Sequence, residues 1–129
     1  MRLTTAFVLG TFVVLLGSHS LVAHHSIAGE FDVTKTVTLK GKVTKIEWTN
    51  PHARIYVDVA QPNGTVVNWN VELAAVSALA RNGWTRNALK IGDTVTVDGL
   101  HARSGAPIAN ARSVILPDGR KVFSGTADQ

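Results

Sequence analysis

Apolar and polar residues alternate with a period of two through most of this chain, and helical spacing interrupts the pattern only once. That single interruption limits the fold more than any other feature. Strict alternation is the signature of strands buried on one face. Val37, Leu39, Gly41 and Val43 alternate with Thr36, Thr38, Lys40 and Lys42, after which the apolar parity moves to Ile46 and Trp48. A slip of one residue inside a long strand predicts a β-bulge, and Gly41 lets such a strand bend. Thr49-Asn50-Pro51-His52 ends the run, because proline has no amide proton for the ladder and asparagine favours turns. Ile55, Val57 and Val59 then alternate with Arg54, Tyr56 and Asp58. After Pro62-Asn63-Gly64, Val67, Trp69, Val71 and Leu73 alternate with Asn68, Asn70 and Glu72. Loop length sets the hairpin register. A two-residue Asn63-Gly64 loop would place Ile55 opposite Glu72, an apolar residue against a charge. A loop of Pro62, Asn63 and Gly64, with Gly64 left-handed, sets Val57 against Trp69 and Ile55 against Val71 inside. The same register sets Arg54 against Glu72 and Tyr56 against Asn70 outside.

The interruption follows. Leu73, Val76, Leu79 and Ala80 recur at helical spacing from Ala74 to Asn82, and Gly83 is a ready C-terminal stop. Thr85 can cap a further turn through Leu89. Lys90-Ile91-Gly92-Asp93 turns into a strand at Thr94–Gly99, and a loop from His101 to Ala106 leads to a last strand at Ile108–Leu116. Pro117-Asp118-Gly119 turns the chain into a short edge strand, Lys121-Val122-Phe123. Three strands, a helix and two strands predict a mainly β fold, a small five-stranded OB-like Greek-key barrel with one helix between strands three and four. A small β-sandwich is the alternative.

Upstream of the barrel, Arg2 precedes a short apolar run, Ala6 to Leu16, then Gly17-Ser18-His19-Ser20 and Leu21-Val22-Ala23. That order predicts a secretory signal peptide over residues 1–23, cleaved after Ala23, since the run is shorter than the roughly 20 apolar residues that span a bilayer. A retained anchor is the competing reading. The expected organisation is a signal peptide at 1–23, an N-terminal arm at 24–35, the barrel at 36–123 and a flexible tail at 124–129. Export to the periplasm follows, with full secretion as the alternative. With no cysteine among 129 residues, thiol nucleophiles, disulfides and cysteine metal sites are excluded, so the core must hold without staples. The formal charge of +4 is modest for a dedicated nucleic-acid binder, and export disfavours that partner further.

In an OB-like barrel the face of strands two and three and the adjoining loops bind ligands. That face and its rim offer Trp48, Asn50, Arg54, Tyr56, Asn70, Glu72 and Arg103, a set that also suits an ordinary solvated face of cross-strand partners. Trp69 is on the buried parity, and Trp84 packs the helix exit onto the barrel. Histidine is the more specific signal. Cleavage after Ala23 makes His24 the first residue, whose α-amino group and imidazole can chelate one metal ion together. A further imidazole completes a nitrogen-rich site suited to Cu(II), with zinc or nickel less favoured. His52 is the first choice for that ligand, ahead of His25 and His101. The bland counterpart is an exposed His-His start and a histidine that merely follows a turn proline. The sequence carries no G-x-S-x-G elbow, no H-E-x-x-H helix and no phosphate-cradling glycine loop, and catalytic activity is not expected.

His24-His25-Ser26, Trp48-Thr49-Asn50-Pro51-His52, Gly83-Trp84-Thr85-Arg86 and Ala109-Asn110-Ala111-Arg112-Ser113 occur in that order. With these four segments the chain resembles a family of small exported bacterial proteins carrying a domain of unknown function. The resemblance spans nearly the whole chain after residue 23. It implies a periplasmic location, brings no activity or cofactor, and marks His24, His25 and His52 as the matching positions. Ile27 departs from it, standing where similar chains often have Phe. The expectation is a non-catalytic periplasmic module that binds copper through these histidines. The alternative is a metal-free module whose strand 2–3 face binds a protein, peptide or glycan.

Overall fold

The computed structural model describes residues 27–123. A four-residue helix, α1 (Ile27–Glu30), leads into a 17-residue strand, β1 (Phe31–Glu47). Strands β2 (Arg54–Ala60) and β3 (Val66–Glu72), helix α2 (Val76–Arg81), and strands β4 (Thr94–Ala102), β5 (Ile108–Ile115) and β6 (Lys121–Phe123) follow. β1 pairs with β4 through its first half and with β2 through its second, β2 pairs with β3, and β4 pairs with β5. A short parallel pairing of β3 with β5 closes the ring, and β6 extends it at one edge of β5. The protein is therefore the five-stranded OB-like barrel with its helix between the third and fourth strands.

The hairpin adopts the three-residue loop. Ile55 faces Val71, Val57 faces Trp69, Tyr56 faces Asn70 and Arg54 faces Glu72, with Gly64 at φ +86°. The parity slip of β1 is a register shift against β2 between Val43 and Lys45. Gly41 sits just before it, where β1 passes from β4 to β2. A Cβ there would overlap the Asp58 carbonyl, so only glycine lets the two backbones come this close.

Inside the barrel, Leu39, Val43, Ile55, Val57, Val71, Val95, Val97 and Val114 form the core, and Leu79 of α2 and Trp84 cap it. α2 is shorter than its spacing predicts. Ala74 stays with the strands, its carbonyl accepting the Ala53 amide while Leu73 donates to Ala53, and Asn82 is the C-cap. The helix stops in a Schellman turn. Gly83, at φ +85°, donates to Ala80, and Trp84 donates to Leu79, whose side chain shares the core with the indole. Gly83→Ala should cost about 1 kcal/mol from the left-handed backbone alone, because open space surrounds the position. A denaturant midpoint shifted with an unchanged m-value is the readout; no shift would mean that this turn is not formed.

Two boundaries differ from those the sequence suggests. The strand begins at Phe31 rather than Thr36, so residues 31–35 of the segment read as an arm belong to the barrel wall. Phe31 pairs with Ala102 and Thr36 with Leu100, and the register shifts between them. In that irregular stretch the Asp32 carboxylate accepts from the Thr34 amide and hydroxyl and pairs with Lys35 at 3.8 Å. These local polar contacts erase the alternation. The Thr34 bonds, with Arg103 and Lys35 nearby, hold the Asp32 carboxyl below its ordinary range. His101, read as a loop residue, lies within β4 opposite Ala109, and the loop starts at Arg103.

Candidate functional site

His52 lies two residues before the start of β2. Its neighbour Ala53 is buried and exchanges backbone hydrogen bonds with Leu73 and Ala74, which turns the His52 side chain to the opposite, outer face. The same face carries Arg54 from β2, Asn70 and Glu72 from β3 and, through the parallel register, Asn110 opposite Glu72 on β5. Glu72 is the centre of this group and only 5% exposed. A buried carboxylate persists only with its charge matched and its lone pairs engaged. Oε1 lies 3.1 Å from His52 Nδ1 and accepts from Asn110 Nδ2 at 3.4 Å, while Oε2 takes an Arg54 guanidinium nitrogen at 2.7 Å. The same guanidinium donates to Asn70 Oδ1 at 3.1 Å. Arg54 is thereby fixed in orientation, and the carboxylate is divided between a histidine on one side and an arginine on the other.

Beside this network, Tyr56 donates its hydroxyl to Glu47 Oε2 at 3.4 Å, and the Lys45 ammonium lies 5.0 Å from the Tyr56 ring and 2.6 Å from Glu47 Oε1. The Lys45–Glu47 contact pushes the lysine up and, with the Tyr56 hydroxyl and the Arg54 charge, holds the Glu47 carboxyl down.

Other members of the anticipated face have structural duties. Asn50, whose peptide bond to Pro51 is cis, accepts the Val76 amide at 3.3 Å. It serves as the missing cap of α2, because Ala75 at the N-cap position has no side-chain acceptor. Trp48 is half-buried against the core. Arg103 is engaged elsewhere, its Nε donating to the Ala28 carbonyl at 2.7 Å and its amide to Glu30. It clamps α1 to the start of the β4–β5 loop. His101 does not join His52. It has the inward parity of Ala109, its Nε2 donates to the Ala106 carbonyl at 2.9 Å, and its ring lies 5.1 Å from that of Trp69. His24 and His25 lie outside the described residues. Among the described residues no group of three or more histidine and carboxylate side chains is placed to hold a metal.

Asn110 is the member that the hairpin argument misses, because its partner Glu72 is brought to it by a parallel pairing between strands far apart in sequence. A signal was present: an asparagine between two alanines in a strand, where the alanines turn out fully buried and the amide is 2% exposed.

A family model described as "Family of unknown function (DUF6152)" matches residues 13–110. The chain belongs to this DUF6152 family. The match covers most of the chain and takes in α1, the first four strands, the start of β5 and every residue of the Glu72 network, as well as His24 and His25. A comparison with curated proteins finds no match to this DUF6152 chain.

Proposed function

We propose that this protein is a non-catalytic, exported periplasmic module that holds one Cu(II) ion through His24, His25 and His52. The observation that carries the reading is the place of Ile27 on the barrel. Ile27 packs with Ile108 in the cluster of Phe31, Leu100 and Ala102, and Arg103 holds Ala28 beside it. Ile108 is the register partner of Asn70, and Asn110, two residues along β5, is the partner of Glu72, which contacts His52. Two residues of strand advance about 6.6 Å. The three residues from Ile27 back to His24 reach roughly 10 Å when extended, a comparable distance. Ile27 thus lies on the side of the sheet that carries His52. An amine and imidazoles make a nitrogen-rich donor set, and such a set favours Cu(II) over Zn(II).

Native mass spectrometry of protein purified from the periplasm, after one equivalent of Cu(II), tests the whole reading. The expected spectrum starts at His24 and retains one copper. His52→Ala, and a chain with one alanine placed before His24, should each lose the retained ion, the second because the chelating amine is displaced. A metal-free mass in the wild type, or a different start, overturns the copper site. The task then becomes identifying a protein, peptide or glycan partner of the strand β2–β3 face, with Arg54 and Tyr56 as the residues to change.

A further inference from the structure

Two Asn-Gly pairs occur in this chain, Asn63-Gly64 at the tip of the β2–β3 hairpin and Asn82-Gly83 at the end of α2. An asparagine followed by glycine can lose its side-chain amide, because the glycine nitrogen reaches the side-chain carbon with no Cβ of its own in the way. Both pairs are exposed, and open space surrounds both glycines. Both glycine amides are also bonded in their turns, Gly64 to the Gln61 carbonyl at 2.9 Å and Gly83 to that of Ala80 at 3.1 Å. The cost of freeing the attacking nitrogen is therefore common to the two. Their side-chain amides differ. Asn63 Oδ1 accepts from the Thr65 hydroxyl at 2.6 Å and from the Thr65 amide at 3.1 Å. Asn82 is held through its other end, its Nδ2 donating back to the Ala78 carbonyl at 2.9 Å.

We propose that Asn63 is a self-modification site, converting in water to aspartate or isoaspartate through a succinimide, and that Thr65 activates it. The Gly64 nitrogen gives its proton to hydroxide and bonds to Asn63 Cγ. The carbonyl electron pair moves onto Oδ1, where the two Thr65 donors lie close to the distances that stabilise an oxyanion. The Cγ–Nδ2 bond then breaks, and the amide leaves as ammonia with a proton from water. One water molecule opens the ring: attack at Cγ gives aspartate, and attack at the backbone carbonyl gives isoaspartate. Isoaspartate adds one carbon to the main chain of the loop whose length sets the β2–β3 register. The reaction needs only water and hydroxide and does not depend on copper.

Incubation of the folded protein in mildly alkaline buffer, then brief tryptic digestion and mass spectrometry, reads both pairs. Cleavage after Arg54, Arg81 and Arg86 puts them in separate peptides, 55–81 and 82–86. Fragmentation distinguishes Asn63 from Asn68 and Asn70. Asn63 should convert about tenfold faster than Asn82, the order of the one hydrogen bond that Asn82 must break first. In urea, where neither turn persists, the two rates should converge. Thr65→Val removes the hydroxyl and keeps the backbone donor, so it should slow Asn63 about fivefold and leave Asn82 unchanged. Asn82 converting as fast as Asn63 in the folded protein, or both staying intact while the urea sample converts, overturns the site. A Thr65→Val rate equal to that of the wild type overturns the role of the hydroxyl. The wild-type comparison decides the site even if the variant does not fold.

Discussion

Phe31→Ala should lower the stability of the barrel by about 3–5 kcal/mol, the range for truncating a large buried aromatic. The ring is 1% exposed and packs outside the main core, in a second cluster with Leu100 and Ala102, flanked by Ile27 and Ile108. These residues come from three parts of the chain: the α1–β1 junction, the end of β4 and the start of β5. Removing the ring leaves a cavity that the fixed strand pairing cannot collapse. It also loosens α1, which the Arg103 contacts with Ala28 and Glu30 help to hold. Urea denaturation checks the effect: the midpoint should fall at an unchanged m-value. A loss below about 1 kcal/mol, as for a surface position, would mean that the segment before Thr36 does not dock on the barrel. The same variant bears on the copper proposal. A loosened start lowers the effective concentration of His24 and His25 at His52, so copper retention should fall in parallel.

Gly41→Ala carries the second large effect, about 2–3 kcal/mol, and its cause differs from that at Gly83. Gly41 does not have a positive φ, so the added methyl is not strained by its own backbone. It meets the Asp58 carbonyl and the Val57 side chain, and the carbonyl cannot withdraw without breaking the β1–β2 ladder. The cost is overpacking at the point where one strand is shared by both sides of the barrel. Equilibrium unfolding of Gly41→Ala beside Gly83→Ala separates the two causes. A Gly41→Ala effect no larger than that of Gly83→Ala would mean that β1 and β2 do not approach this closely.

Much of this architecture could be read from local order. The β2–β3 register followed from one requirement, that Ile55 not face a charge, and every pair it implied is present. The break in parity after Val43 located the bulge, and Gly83 located the end of α2. The outer-face group of Arg54, Asn70 and Glu72 was legible because a hairpin places neighbours by counting. The strand at Phe31 was not legible, since the Asp32, Thr34 and Lys35 contacts satisfy the chain locally and hide its pairing with β4. His101 was misplaced because β4 runs on through a polar residue that packs against Trp69.

By itself, then, the sequence determined strand periodicity, hairpin register, the helix stop and which side chains share the outer face of β2 and β3. All of these depend on residues close along the chain. Only the tertiary structure decided that β3 lies parallel to β5, which sets Asn110 beside Glu72, and that Phe31 and Ile27 close the barrel's outer side near Ile108. It alone separated the two histidines of the barrel, placing His52 outside against Glu72 and His101 inside against Trp69. Ring closure joins residues 38 positions apart, and its driving force is burial summed over the whole core. No local pattern records which distant strand will supply the last partner.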